Sequence, residues 1–118
     1  MVSVESDERA GELAAVNLAE HPQASVQVGK VEYVLEQLAD TVDVVVLDPP
    51  RTGAGPALCA AIAAREPTVI VYVACDPAAL GRDTAALADA GYRLDSLRAF
   101  DAFPQTHHVE CVARYLRT

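Results

Sequence analysis

The chain has 118 residues, room for one core, and 52% of them are hydrophobic, which excludes disordered and fibrous classes. Its net charge of −8 is uneven: residues 1–50 hold ten acidic side chains against Arg9 and Lys30, and residues 51–118 hold seven of each sign. Phosphate neutralisation needs Lys and Arg, so such a chain is no self-sufficient nucleic-acid-binding module; the backbone of a nucleic-acid partner must be gripped mostly by other protein.

Val2–Glu5 reads as a short strand. Ser6 is the expected cap of the next helix, with Asp7 and Glu8 in its first turn, where acidic side chains favour the helix dipole. That helix should run to about Glu20, before Pro22. Ser25–Val28 is a strand, and Val31–Ala39 a helix with Val31, Val34, Leu35 and Leu38 on one face. Val42–Leu47 is almost wholly apolar, as expected of a strand covered on both faces of a parallel sheet. Pro56–Arg65 is a helix with Pro in its first turn, and Thr68–Ala74 a second apolar strand. Ala78–Ala90 is a helix closed by Gly91. Tyr92–Phe100 and Val109–Leu116 complete the set as strands. The alternation implies a doubly wound α/β sheet, and two final strands without a helix between them imply an antiparallel hairpin at one edge.

The apolar stretches are too short to span a bilayer, and Met1–Asp7 lacks the basic and apolar regions of a secretory signal. Three cysteines without a C-x-x-C pair argue against a disulfide framework or structural zinc and fit a reducing cytoplasm.

Ligands of such sheets bind outside the carboxyl ends of the strands. Glu5, Asp48 and Cys75 all fall at predicted strand C-termini. Glu5 stands where an acidic residue commonly accepts hydrogen bonds from a ribose hydroxyl pair. After Asp48, Pro49 and Pro50 remove two backbone donors and fix φ, so the chain leaves the sheet rigidly. Cys75 precedes Asp76-Pro77 and a helix start. A helix N-terminus favours the nucleophilic thiolate, while Asp76 opposes it. Cys59 and Cys111 read as core. His107 and His108 should point apart on a strand and so not share a metal ion. Glu110, on the face of His108, is a candidate general base, and the histidines would support a loop or RNA.

Three segments resemble the C-terminal catalytic part of the S-adenosylmethionine-dependent RNA uracil-C5 methyltransferases. They are Val46-Leu47-Asp48-Pro49-Pro50-Arg51-Thr52-Gly53, the run Tyr72-Val73-Ala74-Cys75-Asp76-Pro77-Ala78-Ala79-Leu80-Gly81-Arg82-Asp83, and Phe103-Pro104-Gln105-Thr106-His107-His108-Val109-Glu110. The family usually has Ser-Cys-Asn-Pro where this chain has Ala-Cys-Asp-Pro, which puts the hydrogen bonding of that loop in doubt.

The resemblance implies a Rossmann-like class I methyltransferase sheet and a mechanism. Cys75 attacks C6 of uracil, C5 takes the methyl group of S-adenosylmethionine, and Glu110 removes the C5 proton. Asp48, Pro49, Pro50, Arg51 and His108 would hold the uracil, and Glu5 and Asp48 would serve the cofactor. The RNA would be transfer or ribosomal RNA. The family's first strand with its Gly-rich loop, its RNA-binding domain and, in some members, its iron–sulfur cysteines do not appear. Residues 1–118 therefore read as a partial catalytic domain, inactive alone, whose open strand edges favour self-association. Two other readings stay open. One is an amino-methyltransferase with a Pro-Pro loop, whose usual Asn-Pro-Pro-Tyr fits Arg51 poorly; the other is a non-catalytic interaction domain.

Overall fold

The computed structural model describes residues 1–38 and 41–118. The chain divides into two compact units, Met1–Leu38 and Ala39–Thr118.

In the first unit, β1 (Val2–Glu5) pairs in parallel with β2 (Ser25–Val28), in the register Val2↔Ser25 to Glu5↔Val28. The connecting helix α1 (Glu8–Asn17) is capped by Asp7, whose carboxylate accepts the Ala10 amide at 2.8 Å. Asp7 thus takes the place expected of Ser6. The helix also stops three residues before Glu20, and turns fill the stretch before Pro22. Gly11 is buried against β2, where a Cβ would collide with the Val28 side chain. In α2 (Val31–Gln37), Val34 and Leu35 are buried, and Val31 and Leu38 half-buried, on the predicted face. Of the predicted span, Ala39 lies outside the described residues.

The second unit is a four-stranded mixed sheet in the order β3-β4-β6-β5. Its strands are β3 (Val44–Leu47), β4 (Val69–Ala74), β5 (Tyr92–Phe100) and β6 (Glu110–Arg117), and its helices α3 (Pro56–Ala63) and α4 (Pro77–Asp89). β3 and β4 run parallel, whereas β6 is inserted antiparallel between β4 and β5. This is the hairpin expected from two final strands, with a bulge between Leu94 and Ser96.

The core lies on one face of this sheet. Ile70, Tyr72 and Ala74 of β4 alternate inward, as do Cys111, Ala113 and Tyr115 of β6. They are buried together with Cys59 and Ile62 of α3 and Leu80 and Leu87 of α4. Pro in the first turn of both helices suits their starts, where the missing N–H would have had no partner. Gly91 (φ +91°) closes α4, its N–H donating to Ala88 O.

One expectation is corrected here. β3 is not covered on both faces: Val44 is 54% and Val46 67% exposed. Only the alternate positions Val45 and Leu47 turn inward, because β3 is an edge strand whose apolar run exceeds the surface its unit covers. Among the described residues β1 pairs only with β2, and β3 only with β4.

Candidate active site

The site grows from the register of β4 and β6. Ala74 pairs with Cys111 at the end of the ladder. Cys75 directly follows Ala74, and Glu110 directly precedes Cys111. A thiol and a carboxylate 35 positions apart are thereby brought to one sheet end. Both are half-buried. With Arg51, Phe103 and His108 they line a pocket of ≈ 210 Å³.

Each wall has a local cause. Cys75 sits one residue before the N-cap of α4, and that cap is Asp76, whose carboxylate accepts the Ala79 amide at 2.8 Å. The loop bonding that the Asp76 departure put in doubt is therefore made. Arg51 sits in a turn closed by Gly53 N–H to Pro50 O at 2.8 Å. Phe103 and His108 come from the β5–β6 connection, folded on Thr106. The Thr106 hydroxyl donates to Phe103 O at 2.7 Å and accepts the His108 amide at 3.2 Å.

The two histidines do not point apart. β6 begins at Glu110, so the alternation of a strand does not reach them, and their rings lie 4.2 Å apart between centroids, tilted by 38°. His108 is half-buried at the pocket and His107 exposed. No group of three or more His, Cys, Asp or Glu is arranged to hold a metal ion among the described residues.

Asp48, Pro49 and Pro50 follow β3 at the same sheet end but do not line the pocket; Asp48 is exposed. Glu5 ends β1 in the other unit, half-buried, with Oε1 accepting the Asp7 amide at 2.9 Å. Cys59 and Cys111 are core, as expected. Burial, reinforced by the negative charge of Asp83, pushes the Cys59 thiol up to about 11.

Sequence reasoning assigned no role to Phe103 or to Asp83. Asp83 lies on the buried stripe of α4 with Ala79, Leu80 and Leu87. A charge on an apolar stripe is the signal that marks it, since a buried carboxylate demands partners.

A profile of the tRNA (uracil-5-)-methyltransferases matches residues 20–117. The chain belongs to that family. An uncharacterised RNA methyltransferase of Streptomyces avermitilis is 50% identical over 96% of this chain and 26% of its own length. Of solved structures, the Pyrococcus abyssi tRNA (uracil-54, C5)-methyltransferase in complex with S-adenosyl-L-homocysteine is similar at a TM-score of 0.80. It is 35% identical, over 98% of this chain and 28% of that one. A precorrin-6y C5,15-methyltransferase of Geobacter metallireducens shares the fold alone, at a TM-score of 0.75 and 17% identity over 99% of this chain and 66% of that one. The chain thus spans about a quarter of the length of the family relatives it matches. Its α/β architecture is that of the Rossmann-like methyltransferases.

Proposed function

We propose that this chain carries the pyrimidine-handling chemistry of an S-adenosylmethionine-dependent RNA uracil-C5 methyltransferase. The reading rests on one observation: Cys75 and Glu110 line the same pocket. Its further walls, Arg51, His108 and Phe103, offer donors and an aromatic face to a flat, oxygen-bearing ring.

Uracil C5 is a poor nucleophile until C6 is saturated. Covalent attack divides one hard step into easier ones. The Cys75 thiolate adds to C6, and the displaced electron pair moves through C5 to the C4 oxygen as an enolate, making C5 nucleophilic. S-adenosylmethionine, when bound, supplies the electrophilic methyl group. Glu110 then takes the proton from C5, the C5–C6 double bond re-forms, and the thiolate leaves. Arg51 and His108 orient the ring. The base must leave its stack to enter.

The acceptor chemistry of Glu5 suits the cofactor. One carboxylate oxygen is held by Asp7, and the other accepts no hydrogen bond among the described residues, as an acceptor of ribose hydroxyls requires. Asp48 is the second cofactor candidate. The substrate is uridine in tRNA or rRNA, bound with the help of protein beyond this acidic chain, in the cytoplasm. The edge of β3, which pairs only with β4 among the described residues and leaves Val44 and Val46 exposed, suits association of the chain with itself. A monodisperse monomer in light scattering would refute that point.

The test of the chemistry uses RNA containing 5-fluorouridine, in which fluorine blocks the final elimination. A covalent RNA adduct should form on Cys75 in the protein that carries this chain and vanish in Cys75→Ala. With natural RNA, Glu110→Gln should accumulate the methylated adduct. An adduct that persists in Cys75→Ala overturns the reading.

A further inference from the structure

Asp83 is 3% exposed and Tyr72 fully buried. No salt bridge reaches Asp83 among the described residues. Its carboxylate is satisfied by a loop instead. Oδ2 accepts the Tyr72 hydroxyl at 2.5 Å and the Ala54 amide at 2.7 Å, and Oδ1 accepts the Gly55 amide at 3.1 Å. The Ala54 amide also reaches the Tyr72 oxygen at 3.1 Å. Gly53 (φ +86°) passes so close that a Cβ there would stand 2.6 Å from Oδ2.

From this geometry we infer that Asp83, with Tyr72, is a positioning residue that sets Arg51 at the Cys75 pocket. A buried charge is costly unless its hydrogen bonds are made. Here two of the three donors are backbone groups of a segment with no regular structure. Their bonds to Asp83 fix one end of the Arg51 loop, while Pro49 and Pro50 stiffen the other. Arg51 lies between these two fixed ends. The same helix sets the other wall: Asp76 caps α4 beside Cys75, and Asp83 follows two turns later, about 10 Å along the axis. One rigid element therefore gauges the thiol against the guanidinium. An amide at position 83 would keep one acceptor but turn an NH₂ toward a backbone donor.

The inference rests on the proposed uracil chemistry only for what Arg51 does to RNA, so its test uses the thiol itself. Cys59 and Cys111 are buried, leaving Cys75 as the reactive cysteine. In the intact chain, a well-placed Arg51 should speed Cys75 with the anionic reagent 5,5′-dithiobis(2-nitrobenzoate) relative to neutral iodoacetamide. Arg51→Ala should remove that preference. Asp83→Asn should lower the anionic rate about three- to tenfold and leave the iodoacetamide rate within twofold. Tyr72→Phe, the milder variant, should do the same to a smaller extent. Added to Asp83→Asn it should do little more, since the two share one network. Amide exchange at Ala54 and Gly55 should quicken in both. An unchanged anionic preference in both variants, or none in the unmodified chain, overturns the inference. Failure of the unmodified protein to form the 5-fluorouridine adduct would instead condemn the proposed function, and the thiol comparison would still decide the role of Asp83.

Discussion

The two units of this chain are built on different resources. Unit 2 encloses two fully buried tyrosines, Tyr72 and Tyr115, with Ile62, Ile70, Leu87 and Cys59 on one sheet face. Unit 1 buries Gly11, Val34 and Leu35, and leaves Val2, Leu13, Val16, Val28 and Tyr33 between 43% and 72% exposed. Its ladder is a single parallel pair, an arrangement that ordinarily needs cover on both faces and is marginal alone. The charge follows the same division, for residues 1–38 hold seven acidic side chains against Arg9 and Lys30. The chemistry-bearing residues Arg51, Cys75, His108 and Glu110 all sit in the unit with the rigid core, where side chains are held in place by packing. Glu5 alone of the candidates sits on the thinner one.

The comparison breaks most sharply in the core. Leu87→Ala, at a fully buried position, should cost about 2–5 kcal/mol in urea unfolding. Val16→Ala, 72% exposed, should change it by less than about 0.5 kcal/mol. Equal effects would show that the two units do not differ in this way. Alkali should also discriminate. Burial pushes up the pKa of Tyr72, Tyr92, Tyr115 and Cys59, all in unit 2. A raised folded value means that stability is whole below the ordinary value, 10.0 for tyrosine and 9.0 for cysteine, and falls as the pH climbs past it. The melting temperature of unit 2 should therefore drop from about pH 9 upward, with tyrosinate absorbance rising in step with unfolding. A melting temperature flat to pH 11 would refute this.

Smaller effects sharpen the picture. Asp7→Ala removes the cap of α1 and should cost about 1 kcal/mol, read as faster amide exchange in the first turn of that helix. Least of all, Asp95→Asn should leave the melting temperature unchanged. The Arg114 hydrogen bond holds the Asp95 carboxyl below its ordinary value, but the pair lies at the surface, where ion pairs contribute little.

Element order was legible because Val44–Leu47 and Val69–Ala74 are apolar runs and Pro56, Pro77 and Gly91 punctuate the helices. Boundaries moved by one to three residues, as at Asp7, where neighbouring side chains compete for one cap. The exposed face of β3 was illegible, because apolarity records what a strand can bury and not what covers it. The histidines were misplaced because alternation was applied to residues that precede the strand. The pocket was legible in its polar members, each carried by a motif, and not in Phe103, whose ring is placed by the turn around Thr106. Asp83 was the quietest: inside a helix it resembles a solvated charge until the stripe it shares with Leu80 and Leu87 is noticed.

The insertion of β6 between β4 and β5 makes the spacing of the two reactive groups a property of alignment. Glu110 is the first residue of β6, and Cys75 directly follows the last residue of β4. Six consecutive residue pairs, Val69↔Leu116 to Ala74↔Cys111, hold the two strands in step. A slip of one residue along that ladder would turn Glu110 to the opposite face of the sheet and part carboxylate from sulfur.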